Sequence, residues 1–163
     1  MNIIEQLPPN KNHLSILHNM ANIYGMQEKY EEALKLDSIG LKYCELLNIE
    51  FSKSKFFDNM ANCYYYDNKL TDAIEYHLKA IAIDSSFGNN KQLGDTYCNL
   101  GAIYEENNDY ERAIYYYKKS IELCKNVGYK TGVKNALELL SGVYEEQGKH
   151  EEAYDLLKQS MQV

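Results

Sequence analysis

The chain has no tryptophan, four phenylalanines and only two prolines in 163 residues. Both prolines stand together at Pro8 and Pro9, so nothing after them forces a helix to break. No run of 18 apolar residues occurs, which excludes a spanning helix of the usual length. Basic residues are in the minority, 17 Lys and Arg against 24 Asp and Glu, for a net charge of −7. That balance speaks against nucleic acid and against anionic membrane surfaces, both of which require a basic face. The first residues, Met1 to Pro9, lack a basic start and a long apolar stretch, so they do not read as a signal peptide, and a cytoplasmic location is expected. Cys44, Cys63, Cys98 and Cys124 form no Cys-x-x-Cys pair and read as reduced thiols packed against helices. His13, His18, His77 and His150 are scattered with no metal-binding spacing, so no metal is expected. No glycine-rich phosphate loop, nucleophile elbow or acid–base dyad is visible. The expectation is therefore no cofactor and no catalysis.

What the chain does have is tyrosine, 16 of them, and a strict internal rhythm. Tyr24, Tyr64, Tyr104 and Tyr144 lie forty residues apart, as do Ala33, Ala73, Ala113 and Ala153. A small residue stands three before each tyrosine: Ala21, Ala61, Gly101 and Ser141. Another stands seven after each alanine: Gly40, Ala80, Ser120 and Ser160. Self-similarity at such a period marks an array of stacked units. The small residues let two helix backbones approach closely, and the tyrosine fills the adjoining gap. One helix pair cannot bury its apolar face alone, so neighbouring pairs share an elongated core.

Within the third unit, Tyr97, Leu100, Gly101, Tyr104, Tyr110, Ala113, Tyr117 and Ser120 follow a recognisable order. That order resembles the tetratricopeptide repeat, whose usual length is about 34 residues. The resemblance runs from about Leu14 to the C-terminus. The longer unit is similar to the extended subclass of bacterial sensors and regulators and of cell-polarity adaptors that bind GoLoco peptides. It implies an all-α, right-handed α-solenoid of four helix pairs, eight helices in all, with a concave wall that binds protein or peptide partners.

Amphipathic spacing and turn residues place the first helices near 11–26, 51–66, 90–106 and 131–146. The second helices fall near 30–48, 70–85, 110–126 and 150–162. Asn10 or Asn12 is expected to cap the first helix. Asn and Gly in the turns within pairs suit left-handed backbone at helix ends. Residues 1–10 read as a lead-in, with Ile3, Ile4 and Leu7 as one apolar turn. Residues 11–163 read as a single domain, with repeats at about 11–50, 51–89, 90–130 and 131–163.

The family's binding wall, carried onto this chain, names its candidate contacts. They are His18 and Asn22 in the first repeat, and Lys55, Asp58, Asn62, Tyr65 and Tyr66 in the second. The third repeat offers Asp95, Asn99, Glu105 and Glu106, and the fourth Glu138, Glu145 and Glu146. Asparagine both donates and accepts, so a row of them suits an extended peptide backbone. The alternative for Asn19, Asn59 and Asn99 is a bond to the neighbouring repeat. The acids of the last two repeats favour a ligand carrying Lys or Arg, or else are only a solvated helical face. Tyr65 and Tyr66 are expected as rigid anchors, with Tyr64 and Tyr117 in the core.

The reading is a non-catalytic interaction scaffold, a module of a larger regulator or adaptor. Two alternatives stand beside it: a peptide-sensing domain of a bacterial signalling protein, and a module that self-associates through its C-terminal helix, where Leu156, Leu157, Met161 and Val163 lie.

Overall fold

A computed structural model of the chain describes residues 9–163. The lead-in turn expected at Ile3, Ile4 and Leu7 lies outside them. The described residues form eight α-helices and one short 3-10 turn, with no strand. The helices are α1 (Lys11–Met26), α2 (Tyr30–Leu46), α3 (Lys53–Tyr66), α4 (Leu70–Phe87), α5 (Asn90–Glu106), α6 (Tyr110–Asn126), α7 (Lys130–Glu146) and α8 (His150–Ser160). They form four pairs of the α-solenoid class. A 3-10 turn at Glu50–Ser52 precedes α3, which therefore starts two residues later than the spacing alone implied. Asn10 is the cap of α1: its side-chain oxygen accepts from the His13 N–H at 3.0 Å.

The turns within pairs share one construction. After α3, the Asn68 N–H bonds the Tyr65 carbonyl and the Lys69 N–H reaches back to the Tyr64 carbonyl, at 3.0 and 2.9 Å. This pair of hydrogen bonds, from the left-handed residue and the one after it, closes the helix end. Tyr24, Tyr104 and Tyr144 accept the same returning bond. The left-handed residue is Asn68, Asn108 or Gly148 in three turns, as the sequence suggested, but in the first it is Glu28, at φ 61°. A glutamate bears a steric cost there that glycine and asparagine largely escape. Replacing Glu28 with Asn is expected to stabilise the protein by about 0.5–1 kcal/mol. A thermal melt checks it, and an unchanged or lowered midpoint would contradict it.

The chain groups into two compact units, one ending at Ile83 and one running Asp84–Val163. In the first, Leu14, Leu17, Ala21, Leu36, Tyr43, Cys44 and Phe56 make a continuous buried cluster. The Phe56 ring lies against Gly40 so closely that a Cβ there would meet it at 2.2 Å. In α3 and α4, Tyr64 stacks on Tyr76 with ring centroids 5.2 Å apart. In the second unit, Leu93, Leu100, Ile103, Tyr117, Val133, Leu137, Leu140 and Val143 are buried. There the Ser120 hydroxyl donates to the Gly94 carbonyl across the α5–α6 contact at 2.7 Å. The three small-residue columns read from the sequence are buried in every repeat. The tyrosine column is less uniform: Tyr104 is buried, while Tyr24, Tyr64 and Tyr144 are only half-buried. Tyr117 is fully buried, as expected.

Candidate functional site

In the first unit a cleft of about 510 Å³ opens between the C-terminal halves of α1 and α3. Asn22, Gly25 and Met26 form one wall, and Asn59, Asn62, Cys63 and Tyr66 the other. Glu28 and Tyr30 close its end from the turn and the start of α2. Met26 is 87% exposed and Tyr66 65% exposed, one on each wall. A Cβ at Gly25 would stand 3.7 Å from Cys63 Sγ, an ordinary contact, so glycine widens the cleft without being demanded by packing.

Below the cleft sits a buried polar pair. Asn59 Nδ2 donates to both carboxylate oxygens of Asp37, at 3.0 and 2.8 Å. Asp37 is fully enclosed, and burial pushes its carboxyl up to about 7, against a smaller lowering by the Asn59 bond. Beside them, the Cys63 thiol is pushed up to about 12 by burial and then by the charge of Asp37. It is a packing group at neutral pH, not a nucleophile. Cys44, pushed up to about 11, and Cys98, to about 12, are likewise buried and free.

The expected contacts divide in the structure. Asn22, Asn62 and Tyr66 come together in the cleft. Asn22 donates to His18 Nε2 at 3.1 Å. His18 packs edge-on to Phe56, and burial and then Lys55 hold its pKa below the usual value, with Asp58 opposing. His18 and Lys55 line a second, smaller hollow of about 270 Å³ with Ser15, Asn19 and Ser52. Tyr65 lies against Tyr66, with ring centroids 5.1 Å apart, and does not line the cleft. Asp58 differs from the expectation of an open contact: it is buried, and His77 Nδ1 donates to it at 3.0 Å. The paired histidine arrives from α4, so the sequence around Asp58 gave no sign of it. Of the asparagines weighed between two roles, Asn59 bonds the preceding helix pair, whereas Asn19 and Asn99 are exposed.

In the second unit, Glu105 is not a plain groove contact. It is half-buried and accepts from the Tyr117 hydroxyl. Burial holds its carboxyl above the ordinary range, the Tyr117 bond opposes this, and the charge of Glu146 adds to it. Glu145 is 2.7 Å from His150 Nδ1, and Glu138 is 3.8 Å from Lys134 Nζ. Glu106 and Glu146 are exposed, as is Asn99. Asp95 is half-buried near Tyr129, whose phenol is raised by burial and then by that carboxylate. Part of the acidic face is thus already engaged by a histidine and a lysine of the chain itself.

Two residues of the cleft region escaped sequence reasoning. Asp37 is a carboxylate on the buried face of α2, where the other repeats have His77, Tyr117 and Leu157. Glu28 stands where the others have Asn68, Asn108 and Gly148. Each departs in charge from its own column, which is a signal visible without coordinates.

Paired helices, a forty-residue rhythm and buried small-residue columns are now joined by a direct match. A tetratricopeptide repeat model fits residues 55–126 and again 92–163, and a second such model fits 13–37. The chain belongs to the tetratricopeptide repeat family. No curated protein sequence matches it. Among solved structures, aspartyl phosphate phosphatase F from Bacillus subtilis aligns with a TM-score of 0.87 and 17% identity, over 99% of this chain and 40% of that one. BtubC from P. vanneervenii aligns at 0.80 and 17%, over 91% of this chain and 62% of that one. A STAND protein with a tetratricopeptide repeat sensor, PH0952 from Pyrococcus horikoshii, aligns at 0.79 and 21%, over 90% and 23%. These likenesses establish the fold, and in each case this tetratricopeptide chain spans less than two thirds of the longer one. Among the described residues, no three His, Cys, Asp or Glu side chains are placed to hold a metal ion. No helix of the described residues is long and apolar enough to cross a membrane.

Proposed function

We propose that this tetratricopeptide domain is a non-catalytic interaction module that receives a segment of a partner protein on the first helices of its pairs, with the α1–α3 cleft as the principal anchor site. Tetratricopeptide domains are in general protein-interaction scaffolds, and the finer assignment is supported by the cleft itself. Its exposed Met26 and Tyr66 are the kind of side chain that anchors a partner, and Asn22 and Asn62 supply amides for a peptide backbone. The 510 Å³ volume suits one or two partner side chains.

Photocrosslinking tests this. A benzoyl-phenylalanine at position 66 is expected to capture a partner segment from a source-cell lysate, and the same group at Tyr154, exposed on α8, is not. Met26→Ala with Tyr66→Ala is expected to abolish that capture while leaving helical content and melting temperature unchanged, because both side chains stand largely in water. Equal capture from positions 66 and 154 would remove the cleft as the site.

A second reading draws on the fold shared with the phosphatase and the PH0952 repeat sensor. In it, the partner is a signalling peptide whose binding shifts the domain between two shapes. Small-angle scattering separates the readings: a sensor changes its radius of gyration on binding, and a passive adaptor does not.

A further inference from the structure

We infer that the α1–α3 cleft is built for an aliphatic cation, the side chain of a lysine or arginine on the partner segment, with Asn59, Asn62 and Glu28 meeting its N–H groups and Met26 and Tyr66 covering its stem. The inference rests on the interaction reading above and names the chemistry of that same site.

Asn59 carries the argument. It is 7% exposed, it lines the cleft, and its hydrogen bonds are made by Nδ2 alone, to the two oxygens of Asp37. The amide nitrogen is turned toward the Asp37 carboxyl, which it meets at both oxygens. Oδ1 is left for an occupant, and an acceptor of this kind asks for a donor.

The charges agree. Glu28 is the single charged residue in the lining, and no lysine, arginine or histidine lines the cleft. The neighbouring Lys29 is turned away, with Nζ donating to Gln27 Oε1 at 3.0 Å and lying over the Tyr24 ring. The Tyr30 phenol at this end of the cleft is raised by burial and then by the negative charge of Glu28, with Asp67 adding to it. Glu28 moreover keeps a left-handed backbone that Asn or Gly occupies in the other three turns. Stored strain at a residue whose side chain lines a cleft is the pattern of a functional position. Tyr66 adds a ring face for a cation passing over it. A ligand presenting a carboxylate instead would meet Glu28 and the Asn59 acceptor.

The probe is n-butylammonium, which has the stem and head of a lysine side chain, set against butyrate and 1-butanol at constant ionic strength. Binding to the full chain is read from the carbon-13 methyl resonances of its methionines. Butylammonium is expected to move Met26 saturably while leaving Met161, exposed on the far end of the chain, in place. Butyrate is expected to bind at least fivefold more weakly, and Glu28→Gln to weaken butylammonium about fivefold. An unmoved resonance from the buried Met60 certifies that the variant is folded. Butyrate or 1-butanol binding as tightly as butylammonium would overturn the cationic assignment and leave the interaction reading standing. Glu28→Gln without effect would overturn it as well. Silence at Met26 with all three probes would overturn the cleft as a site and the interaction reading with it.

Discussion

Gly101→Leu is expected to lower the melting temperature by about 10 °C, and even Gly101→Ala to lower it, although alanine is the better helix former by about 1 kcal/mol. Propensity and packing pull in opposite directions here, and geometry decides between them. A Cβ at Gly101 would stand 2.7 Å from two carbons of the Tyr117 ring. Tyr117 has nowhere to go: it is fully buried, and its hydroxyl is bonded to Glu105. Overpacking of a closed core costs about 1–3 kcal/mol for small excesses, and leucine adds three further carbons beyond the one that already clashes. Gly142, in α7, supplies the control. Nothing lies within 4 Å of a Cβ built there. Gly142→Ala is expected to raise the midpoint by a few degrees, since only the propensity remains. Calorimetry of the three variants checks the pair of signs. A Gly101→Leu protein that melts like the parent would mean that α5 and α6 do not meet through this column.

That same column shows why the fold could be read from the chain. Ala21, Ala61, Gly101 and Ser141 recur at one spacing because a helix contact tolerates nothing larger there. The repeat-equivalent of Tyr117 is Asp37, His77 or Leu157 elsewhere, and the one true glycine faces the largest of these side chains. Local rules of this kind fix eight helices and their turns to within two residues or so, because caps, left-handed asparagines and period all agree. The family's wall also led to Asn22, Asn62 and Tyr66, which share one cleft. What escaped was pairing across helices. Nothing near Asp58 announces that His77, one helix later, will seal it. Glu105 looks like a solvated helix acid until Tyr117 from α6 is seen to donate to it. Period places a residue on a face, but which polar side chain from the next helix will claim it is decided by geometry that no single helix contains.

The stability of the protein is expected to fall as pH rises from about 4 to about 7, and Asp37→Asn to remove most of that fall. Asp37 on α2 is enclosed, with Asn59 and Cys63 of α3 as its neighbours. Its carboxyl titrates at about 7 in the folded chain, against 3.8 ordinarily. In the unfolded chain the proton is lost near pH 4, whereas the folded chain keeps it until about 7. Between those values folding takes up a proton, so each unit of pH removes stability at about 1.4 kcal/mol. Over about three units the loss is about 4 kcal/mol, and above pH 7 both states are ionised and the curve flattens. In a chain of this size that corresponds to about 10 °C. Asparagine keeps the shape and one acceptor for Asn59 Nδ2 but does not titrate. The midpoint of the parent minus that of Asp37→Asn should therefore drop steadily from pH 4 to pH 7 and hold level from pH 7 to pH 9. Parallel curves for the two proteins would mean that Asp37 is ionised throughout, and that the two Asn59 bonds outweigh its burial. The outcome bears on the cleft above it. A neutral carboxyl can donate as well as accept, and so releases the Asn59 amide from the orientation that an ionised one imposes.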